Sequence, residues 1–133
     1  QALYQRIVHA SVRSTGAMAA CLYAYEGKSR LRVAAVEGLF PPQRPLPRKF
    51  VSTETTRVQF IEGILRGETF HLGEGLVGTA AKTGQALLIS NANEDPRVLQ
   101  HDDPSLEVRS LIIAPIIFRG NLLGVLAVAN PGD

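Results

Sequence analysis

Three glycines near the middle of the chain have a spacing that could bind a phosphate. They lie in the segment GEGLVGTAAKTGQALLIS, where Gly73, Gly75 and Gly78 match the pattern G-x-G-x-x-G. An acidic pair, Glu94 and Asp95, follows about twenty residues later, as in dinucleotide-binding proteins. Such glycines bind a pyrophosphate when a strand precedes them and a helix follows, so the neighbouring elements must decide whether this segment does so.

Few other side chains offer reactive chemistry. Cys21 is the single cysteine, which excludes an intramolecular disulfide and a multi-cysteine metal site, and its apolar neighbours favour a place in the core. Of the three histidines, His9 and His71 lie where structural or surface roles are expected. His101, which two aspartates follow, is the strongest candidate for a metal or haem ligand. Because adjacent residues rarely converge on one ion, a solvated loop is favoured and no metal site is predicted.

Length and composition indicate one globular domain. The chain has 133 residues, of which 45% are hydrophobic and 20% charged, and it holds no biased tract. The net charge of +2 is too small to indicate nucleic-acid binding, which requires a clustered basic face. The nearest group of basic residues, Arg44, Arg48 and Lys49, is spread among prolines and is predicted to be a solvated loop.

Neither a membrane partner nor secretion is expected. The longest apolar stretch falls well short of the roughly eighteen residues of a membrane span, and the beginning lacks a signal-peptide pattern. A single cysteine fits a reducing compartment, so a cytoplasmic location is predicted. Because the chain begins at Gln1 without an initiator methionine, we expect it to be a piece of a longer protein.

The first half of the chain predicts two helices and a hairpin. In ALYQRIVHASVRSTG two apolar lines recur at helical spacing, and a glycine ends them. Two apolar runs, 19–25 and 31–36, are joined by a polar stretch with a glycine, which predicts a β-hairpin. After a proline-rich surface excursion, Thr56 and Gln59 have the spacing of a capping box, and a short amphipathic helix is expected to end at Gly67.

The second half predicts a helix and three strands. The helix follows the glycines and ends at Gly84, ALLIS forms a short strand, and a polar loop with prolines comes next. The runs SLIIAPIIF and NLLGVLAVA are joined by hairpin residues, and their apolar character on both faces predicts central strands. Pro115 conflicts with a central position, because proline cannot donate to a ladder, so a local irregularity is expected there.

These elements answer the question that the glycines raise. Hairpins at both ends, with helices between and outside them, indicate an α+β domain with a mainly antiparallel sheet. A dinucleotide-binding fold places its glycines after the first strand and continues in βαβ units, whereas these glycines lie mid-chain, where Glu74 would bring a carboxylate beside the pyrophosphate. The motif is therefore interpreted structurally, and no dinucleotide is expected to bind. Gly73 and Gly75 allow a tight turn, and Gly78 allows a close helix contact.

Two stretches, GEGLVGTAAKTGQALLISNANEDPR and VRSLIIAPIIFRGNLLGVLAVANP, resemble the second half of a GAF domain. The family pattern is a G-E-G-hydrophobic-x-G turn into a helix, a strand, a D-P-R loop, an R-S-x-hydrophobic-x-x-P strand and a G-x-L hairpin partner. Residues 73–97 and 109–131 follow this pattern in order, and the first half is similar in layout alone. Residues 43–70 form a longer insertion than is usual, and the chain stops at Asp133, where the family usually continues into an output helix.

The resemblance implies one domain, residues 1–133, with a six-stranded antiparallel sheet, terminal helices on one face and a small-molecule pocket under loops and short helices on the other. It also implies a non-catalytic regulatory role, as a ligand sensor or a dimerisation element for an output domain in the same chain. The N-K-x-F-D-E string of many cyclic-nucleotide-binding members is absent, and Cys21 is poorly placed to attach a bilin, so no ligand or cofactor is named. Two alternatives stay open. One is a methionine sulfoxide reductase, which would need several cysteines, and the other is a dimerisation spacer without a ligand.

The predicted ligand site depends on the first strand of the C-terminal hairpin. Alternation places Leu111 and Ile113 on one face, and these are variable positions of the family pattern, so both are expected to face the ligand beneath residues 93–97. That they fill the core is an equally open interpretation. Two arginines near the site favour an anionic ligand, and ion pairs with neighbouring carboxylates are their alternative role. The predicted ligand-binding residues are Asn93, Asp95, Arg97, Arg109, Leu111 and Ile113.

The N-terminal helix predicts self-association. Its two apolar lines together are wider than packing on one sheet face requires, so one line is expected to serve the sheet and the other a twin helix in a two-fold dimer. A monomer whose helix only caps the sheet is the alternative. The predicted interface consists of Leu3, Tyr4, Ile7, Val8 and Val12.

Overall fold

The computed structural model describes residues 2–46 and 56–132. Within these ranges the chain forms three α-helices, six strands and two short 3-10 turns. In chain order they are α1 (Ala2–Thr15), β1 (Ala19–Gly27), β2 (Arg30–Glu37), α2 (Arg57–Arg66), β3 (Thr69–His71), α3 (Gly75–Thr83), β4 (Leu87–Ile89), the 3-10 turns Ala92–Glu94 and Pro104–Leu106, β5 (Leu111–Phe118) and β6 (Asn121–Ala129). Arg48 and Lys49, for which a solvated loop is predicted, lie outside the described residues, as does part of the predicted insertion 43–70.

All pairings in the sheet are antiparallel, and the strand order is β3-β2-β1-β6-β5-β4. The long strands of the two predicted hairpins form the centre, and the three-residue strands β3 and β4 form the edges. This architecture confirms the predicted α+β class and the six-stranded sheet.

The capping box predicted at the start of α2 is present. Thr56 Oγ1 accepts from the Gln59 N–H at 3.1 Å, and Gln59 Oε1 accepts from the Thr56 N–H at 3.1 Å. Two otherwise unpaired N–H groups are thus satisfied reciprocally. The helix ends at Arg66, with Gly67 as the cap that was predicted.

Pro115 shows how a proline fits into a long strand. It lies in β5 opposite Val125 of β6, whereas in the described part of the chain β4 pairs only with residues 111–113. The proline nitrogen, which has no hydrogen to donate, can therefore face an unpaired edge. The predicted irregularity is present one residue further along, as a register shift between Ile116 and Ile117.

The sheet buries a different cluster on each side, and we name the sides after the helices that cover them. The α1 face buries an apolar cluster that includes Ala20, Leu22 and Val128. The α3 face holds the larger cluster, to which Leu111 and Ile113 belong. Ile112 packs on the opposite cluster, so the predicted alternation along β5 is confirmed.

On the α1 face, the helix uses residues from both of its predicted apolar lines. Val8 is fully buried, and Tyr4, Ile7 and Val12 pack half-buried on the same cluster. Leu3 keeps 59% of its surface exposed. Val8 is therefore closed to a twin helix while α1 rests on the sheet, since contact with one sheet already occupies a stripe about 100° wide. Association itself stays a prediction.

The glycine segment forms the tight turn that leads from β3 into α3. Gly75 has a φ of +65°, which a residue with a side chain rarely adopts. At Gly78 a Cβ atom would lie 2.2 Å from the His71 carbonyl oxygen, so the helix approaches β3 more closely than any side chain permits. The glycines thus serve the structural roles predicted for them.

Candidate functional site

A small cavity lies between the α3 face of the sheet and the segments that cover this face. Its volume is about 80 Å³, which is small beside the several hundred Å³ of a drug-sized site. Two polar side chains, Gln43 and Arg97, also reach it. Its apolar lining includes Phe40, Phe70, Leu76, Val98, Val108 and Leu111.

Residues 40–44, which we call the strap, form one wall of the cavity. His101 ties the strap to the neighbouring loop, because its Nε2 lies 2.6 Å from the Pro42 carbonyl oxygen. A carbonyl oxygen only accepts, so the imidazole donates in this bond. Val98 and Leu99, which also line the cavity, lie in the same loop as His101.

Arg44 anchors the other end of the strap. Its Nη2 donates to the Thr69 carbonyl oxygen at 2.6 Å and to the Glu74 carboxylate at 3.2 Å, and its guanidinium lies 4.2 Å from the centre of the Phe70 ring. The Glu74 carboxylate also accepts from the His71 N–H at 2.9 Å. This backbone hydrogen bond, with the nearby Arg44 charge, holds the pKa of Glu74 below its usual value.

A buried carboxyl group lies against the strap. Glu68, which follows α2, is only 4% exposed, and its Oε2 accepts from the Gln43 backbone N–H at 2.9 Å. Its Oε1 is buried and has no hydrogen-bond partner in the described structure. Burial raises the pKa of Glu68 to about 7, against the opposing effects of hydrogen bonds from the Gln43 and Arg44 backbone and of the Arg44 charge.

Two neutral groups of β1 lie near this carboxyl group. The Gln43 side chain donates from Nε2 to Tyr23 Oη at 3.3 Å, and the Tyr23 ring meets Phe70 edge-on with 5.6 Å between ring centres. Burial raises the pKa of both Tyr23 and Cys21 above their usual ranges. The phenol and the thiol therefore stay protonated at neutral pH.

Arg97 reaches the cavity as half of an ion pair. Its guanidinium donates to both carboxylate oxygens of Asp95, at 3.0 and 2.7 Å. Hydrogen bonds from the Arg97 side chain and backbone lower the pKa of Asp95 to about 2. The charge of Arg97 is thus matched within the protein, as in the predicted alternative role.

The structure brings together part of the predicted ligand set. Leu111 and Arg97 line the cavity, and Asp95 adjoins it through the ion pair. Ile113 is fully buried in the core cluster and is not among the residues that line the cavity, which agrees with the core-filling alternative.

The other two predicted residues lie apart from the cavity lining. Asn93 is an exposed residue of the first 3-10 turn. Arg109 pairs with Glu107 at 3.1 Å and lines a separate surface groove with Ser110 and Ile112. The ligand role of these residues stays a prediction.

The sequence interpretation missed the strap and Glu68. The strap was predicted to be a surface excursion because its prolines exclude regular structure, yet Phe40 is buried. The apolar run of Leu39 and Phe40 directly before the prolines was the available signal for packing. Glu68 gave no local signal, because its burial depends on contact with a residue 25 positions away in sequence.

The described residues hold neither a metal-binding cluster nor a membrane-spanning helix. They contain no group of three or more side chains placed to hold a metal ion, and His101 is bonded to the strap instead. Within the same ranges, every helix is too short or too polar to span a membrane.

Comparison with known proteins relates the chain to a family of domains. The family description "GAF domain" matches residues 1–133. A probable 3',5'-cyclic phosphodiesterase of Caenorhabditis elegans is 33% identical over 66 residues, which make up 48% of this chain and 9% of that protein. The chain thus spans a small part of this curated relative.

Solved structures share the fold. The GAF domain of an Acinetobacter phosphoenolpyruvate-protein phosphotransferase aligns with a TM-score of 0.66 and 19% identity, over 98% of this chain and 66% of that one. A free methionine-R-sulfoxide reductase from Neisseria meningitidis, solved with its substrate, aligns with a TM-score of 0.62 and 17% identity, over 97% and 61% of the two chains. At such identities the likeness concerns the fold alone.

Proposed function

The chain belongs to the GAF domain family, and we propose that it is a regulatory domain that binds a small molecule in the cavity beside the strap. Binding there controls an output domain elsewhere in the same protein. The family occurs in signalling proteins, and the relatives named above include a probable cyclic phosphodiesterase and a phosphotransferase. Because function depends on the site and not on the fold, the proposal must be argued from the cavity.

The observation that carries the proposal is the chemistry of the cavity walls. Phe40, Phe70 and Leu111 supply apolar surface, and Gln43 adds a polar residue. A concave apolar site with few polar groups is typical of small-molecule binding. The cavity volume of about 80 Å³ favours a small occupant.

The ion pair between Asp95 and Arg97 limits the class of ligand that the cavity can bind. Because Asp95 already matches the Arg97 charge, the site offers little net charge to a ligand. A multiply charged ligand would lose its hydration without full compensation. We therefore propose a largely apolar ligand with one polar end, which can meet the Gln43 amide.

A metabolite screen followed by thermal unfolding tests this function. A ligand that binds the folded state alone, present at 100 times its Kd, adds about 2.7 kcal/mol and raises the melting temperature by on the order of 10 °C. Val98→Phe, which fills the cavity, should abolish that rise and leave the domain folded. Leu88→Phe makes a similar change at an exposed position of β4 and should leave the rise intact.

Two results would contradict the proposal. One is a broad library that produces no shift in the wild-type domain. The other is a shift that persists in Val98→Phe, because the ligand would then bind elsewhere.

A reductase is the competing function, since a solved relative with this fold is a free methionine-R-sulfoxide reductase. Reduction by a thiol begins from an accessible thiolate. Cys21 is fully buried in β1, and burial raises its pKa, so the thiol is protonated and shielded. These properties support a non-catalytic domain. Turnover of free methionine sulfoxide that Cys21→Ser abolishes would overturn this conclusion.

We also propose that the domain associates through the outer side of α1. Leu3 is the predicted interface residue that leaves most of its side chain free, and it lies in the first turn. A two-fold contact there would place α1 beside its own copy. Such a helix pair can transmit small shifts to an attached output domain.

A further inference from the structure

The cavity wall and the buried carboxyl group are parts of one contact. Gln43 lines the cavity, and its backbone N–H donates to Glu68 Oε2 at 2.9 Å. A strap that moved away from the cavity would also leave Glu68. Water would then reach a carboxyl group that is 4% exposed in this structure.

Glu68 is poorly placed to carry a charge while the strap is closed. Its Oε1 is buried, and in the described part of the chain no group donates to it. An ionised oxygen without a partner loses its hydration and gains nothing in return. The neutral acid loses much less, so the closed strap and the ionised carboxyl group oppose each other.

The groups that face Glu68 do not remove this conflict. Cys21 and Tyr23 of β1 stay neutral at pH 7, because burial raises the pKa of each. Arg44 of the strap favours the ionised form through a backbone hydrogen bond and its charge, but its guanidinium is held by the Thr69 carbonyl oxygen and Glu74. Burial therefore dominates, and it raises the pKa of Glu68 to about 7.

Two further basic groups lie on the elements around this contact. Arg66 at the end of α2 pairs with Glu62 on the same helix. His101 bonds the strap at Pro42, and its imidazole can donate there in either charge state. A variant of Glu68 is therefore needed to assign any pH dependence of the strap to this residue.

We propose that Glu68 makes closure of the strap over the cavity depend on protons. Its neutral form stabilises the closed strap, and its ionised form favours release of the strap and opening of the cavity. This inference rests on the proposed function, because it assigns a regulation to the same cavity.

The size of the effect follows from linkage. A carboxyl group that is hydrated in the open state has its ordinary pKa of 4.5, against about 7 in the closed state. Because the closed state binds the proton more tightly, raising the pH shifts the equilibrium toward the open state. Between pH 6 and pH 8 the shift is about tenfold.

Hydrogen exchange of the Gln43 backbone amide measures the opening directly. We expect its protection factor, which is corrected for the intrinsic pH dependence of exchange, to fall about tenfold from pH 6 to pH 8. In Glu68→Gln, which mimics the neutral acid, the protection factor should not change over this range. Glu62→Gln makes the same chemical change on the exposed side of α2 and should behave as the wild type does.

Several outcomes would overturn the inference. One is an unchanged protection factor in the wild type, and another is the same fall in Glu68→Gln, which would assign the pH dependence to a group other than Glu68. If Glu68→Gln does not fold, the ¹³C shift of the Glu68 carboxyl group in the wild type replaces it. Its titration midpoint must then match that of Gln43 protection, and a mismatch contradicts the proposal.

Methyl signals of Val98 and Leu111 extend the test to the cavity, which both residues line. They should shift with the same midpoint in the wild type and stay fixed in Glu68→Gln. Wild-type methyl signals that do not move would contradict coupling to the cavity. A metabolite screen without a hit would overturn the proposed function and leave these titrations unaffected. Strap opening that does not depend on the ionisation of Glu68 would overturn the inference, whether or not a metabolite binds.

Discussion

The two faces of the sheet are covered in different ways. A single helix closes the α1 face, and its partly and fully buried side chains pack on a wholly apolar cluster. The α3 face is covered by the shorter helices α2 and α3, the strap and long loops, and it retains a cavity and a buried carboxyl group.

The difference lies in how the covering segments satisfy their backbone groups. A helix such as α1 forms most of its backbone hydrogen bonds internally, whereas a loop also relies on side chains and on other segments for this purpose. The Gln100 side chain, for example, donates to the carbonyl oxygens of Ala92 and Val108 and accepts from the Val108 N–H. A covering made of separately fastened segments can open in parts, and a continuous helix cannot do so as readily.

The largest expected effect is at Gly78, where α3 lies so close to β3 that no side chain fits between them. Gly78→Ala would place a Cβ atom 2.2 Å from the His71 carbonyl oxygen, so the backbone must shift. We expect a loss of on the order of 4 kcal/mol in the free energy of unfolding, measured by urea denaturation. Gly63→Ala in α2 is the control, since nothing lies within 4 Å of its added atom, and it should stabilise by up to about 1 kcal/mol. Equal effects of the two changes would refute the close contact.

The second difference between the two faces is a pH-dependent contribution to stability, which comes from the buried carboxyl group of Glu68 on the α3 face. Because the pKa of Glu68 is raised to about 7 from 4.5, the folded state binds more protons between these values, and stability falls as the pH rises through them. The full loss in the free energy of unfolding across this pH range is about 3 kcal/mol. Glu68→Gln lacks this loss. The free energy of unfolding of the variant, relative to that of the wild type, should therefore increase from pH 4 to pH 8. Groups such as Glu74 titrate in both proteins and cancel in the difference, and an advantage that does not grow with pH would contradict the raised pKa.

At Val8, on the α1 face, the expected loss comes from packing alone. Val8→Ala removes two fully buried methyl groups and should cost about 2 kcal/mol at any pH between 5 and 8. Leu3→Ala is the matched change in the same helix, and its 59% exposure predicts a loss below about 0.5 kcal/mol. A pH-dependent loss for Val8→Ala would show that the faces are less distinct than the structure indicates.

The smallest expected effect concerns association. Leu3→Glu should leave the fold intact and reduce self-association in sedimentation across a concentration series. Val8→Glu is unsuitable for this purpose, because it would bury a charge against the sheet and unfold the domain. A wild-type domain that stays monomeric at every concentration would contradict the proposed contact through α1.

The sequence was sufficient wherever structure depends on neighbours in the chain. The capping box at Thr56 and the hairpins follow from residues a few positions apart. The structural roles of the glycines could be predicted for the same reason, because the turn at Gly75 and the contact of Gly78 with His71 involve residues close together in the chain. The burial of Val8 against the sheet could not be predicted in this way, because helical spacing defines a stripe and does not show what covers it.

The cavity could be predicted only in part. Leu111 was found from strand alternation, and Arg97 from its place in the loop. The strap and Glu68 were missed, because they meet only after the chain has folded back over 25 residues. A contact of this kind leaves no periodicity or spacing in the sequence.

Pro115 has a consequence for the behaviour of the domain in a crowded solution. Beyond the end of β4, the outer side of β5 is an edge to which another chain could add a strand, and Ile117 and Phe118 near it are exposed. A proline at that edge cannot donate a hydrogen bond to an incoming strand. Arg119, whose guanidinium lies 5.0 Å from the centre of the Phe118 ring, adds a charge beside the apolar pair. Proline and a charge at an exposed strand edge are features that disfavour aggregation through strand addition.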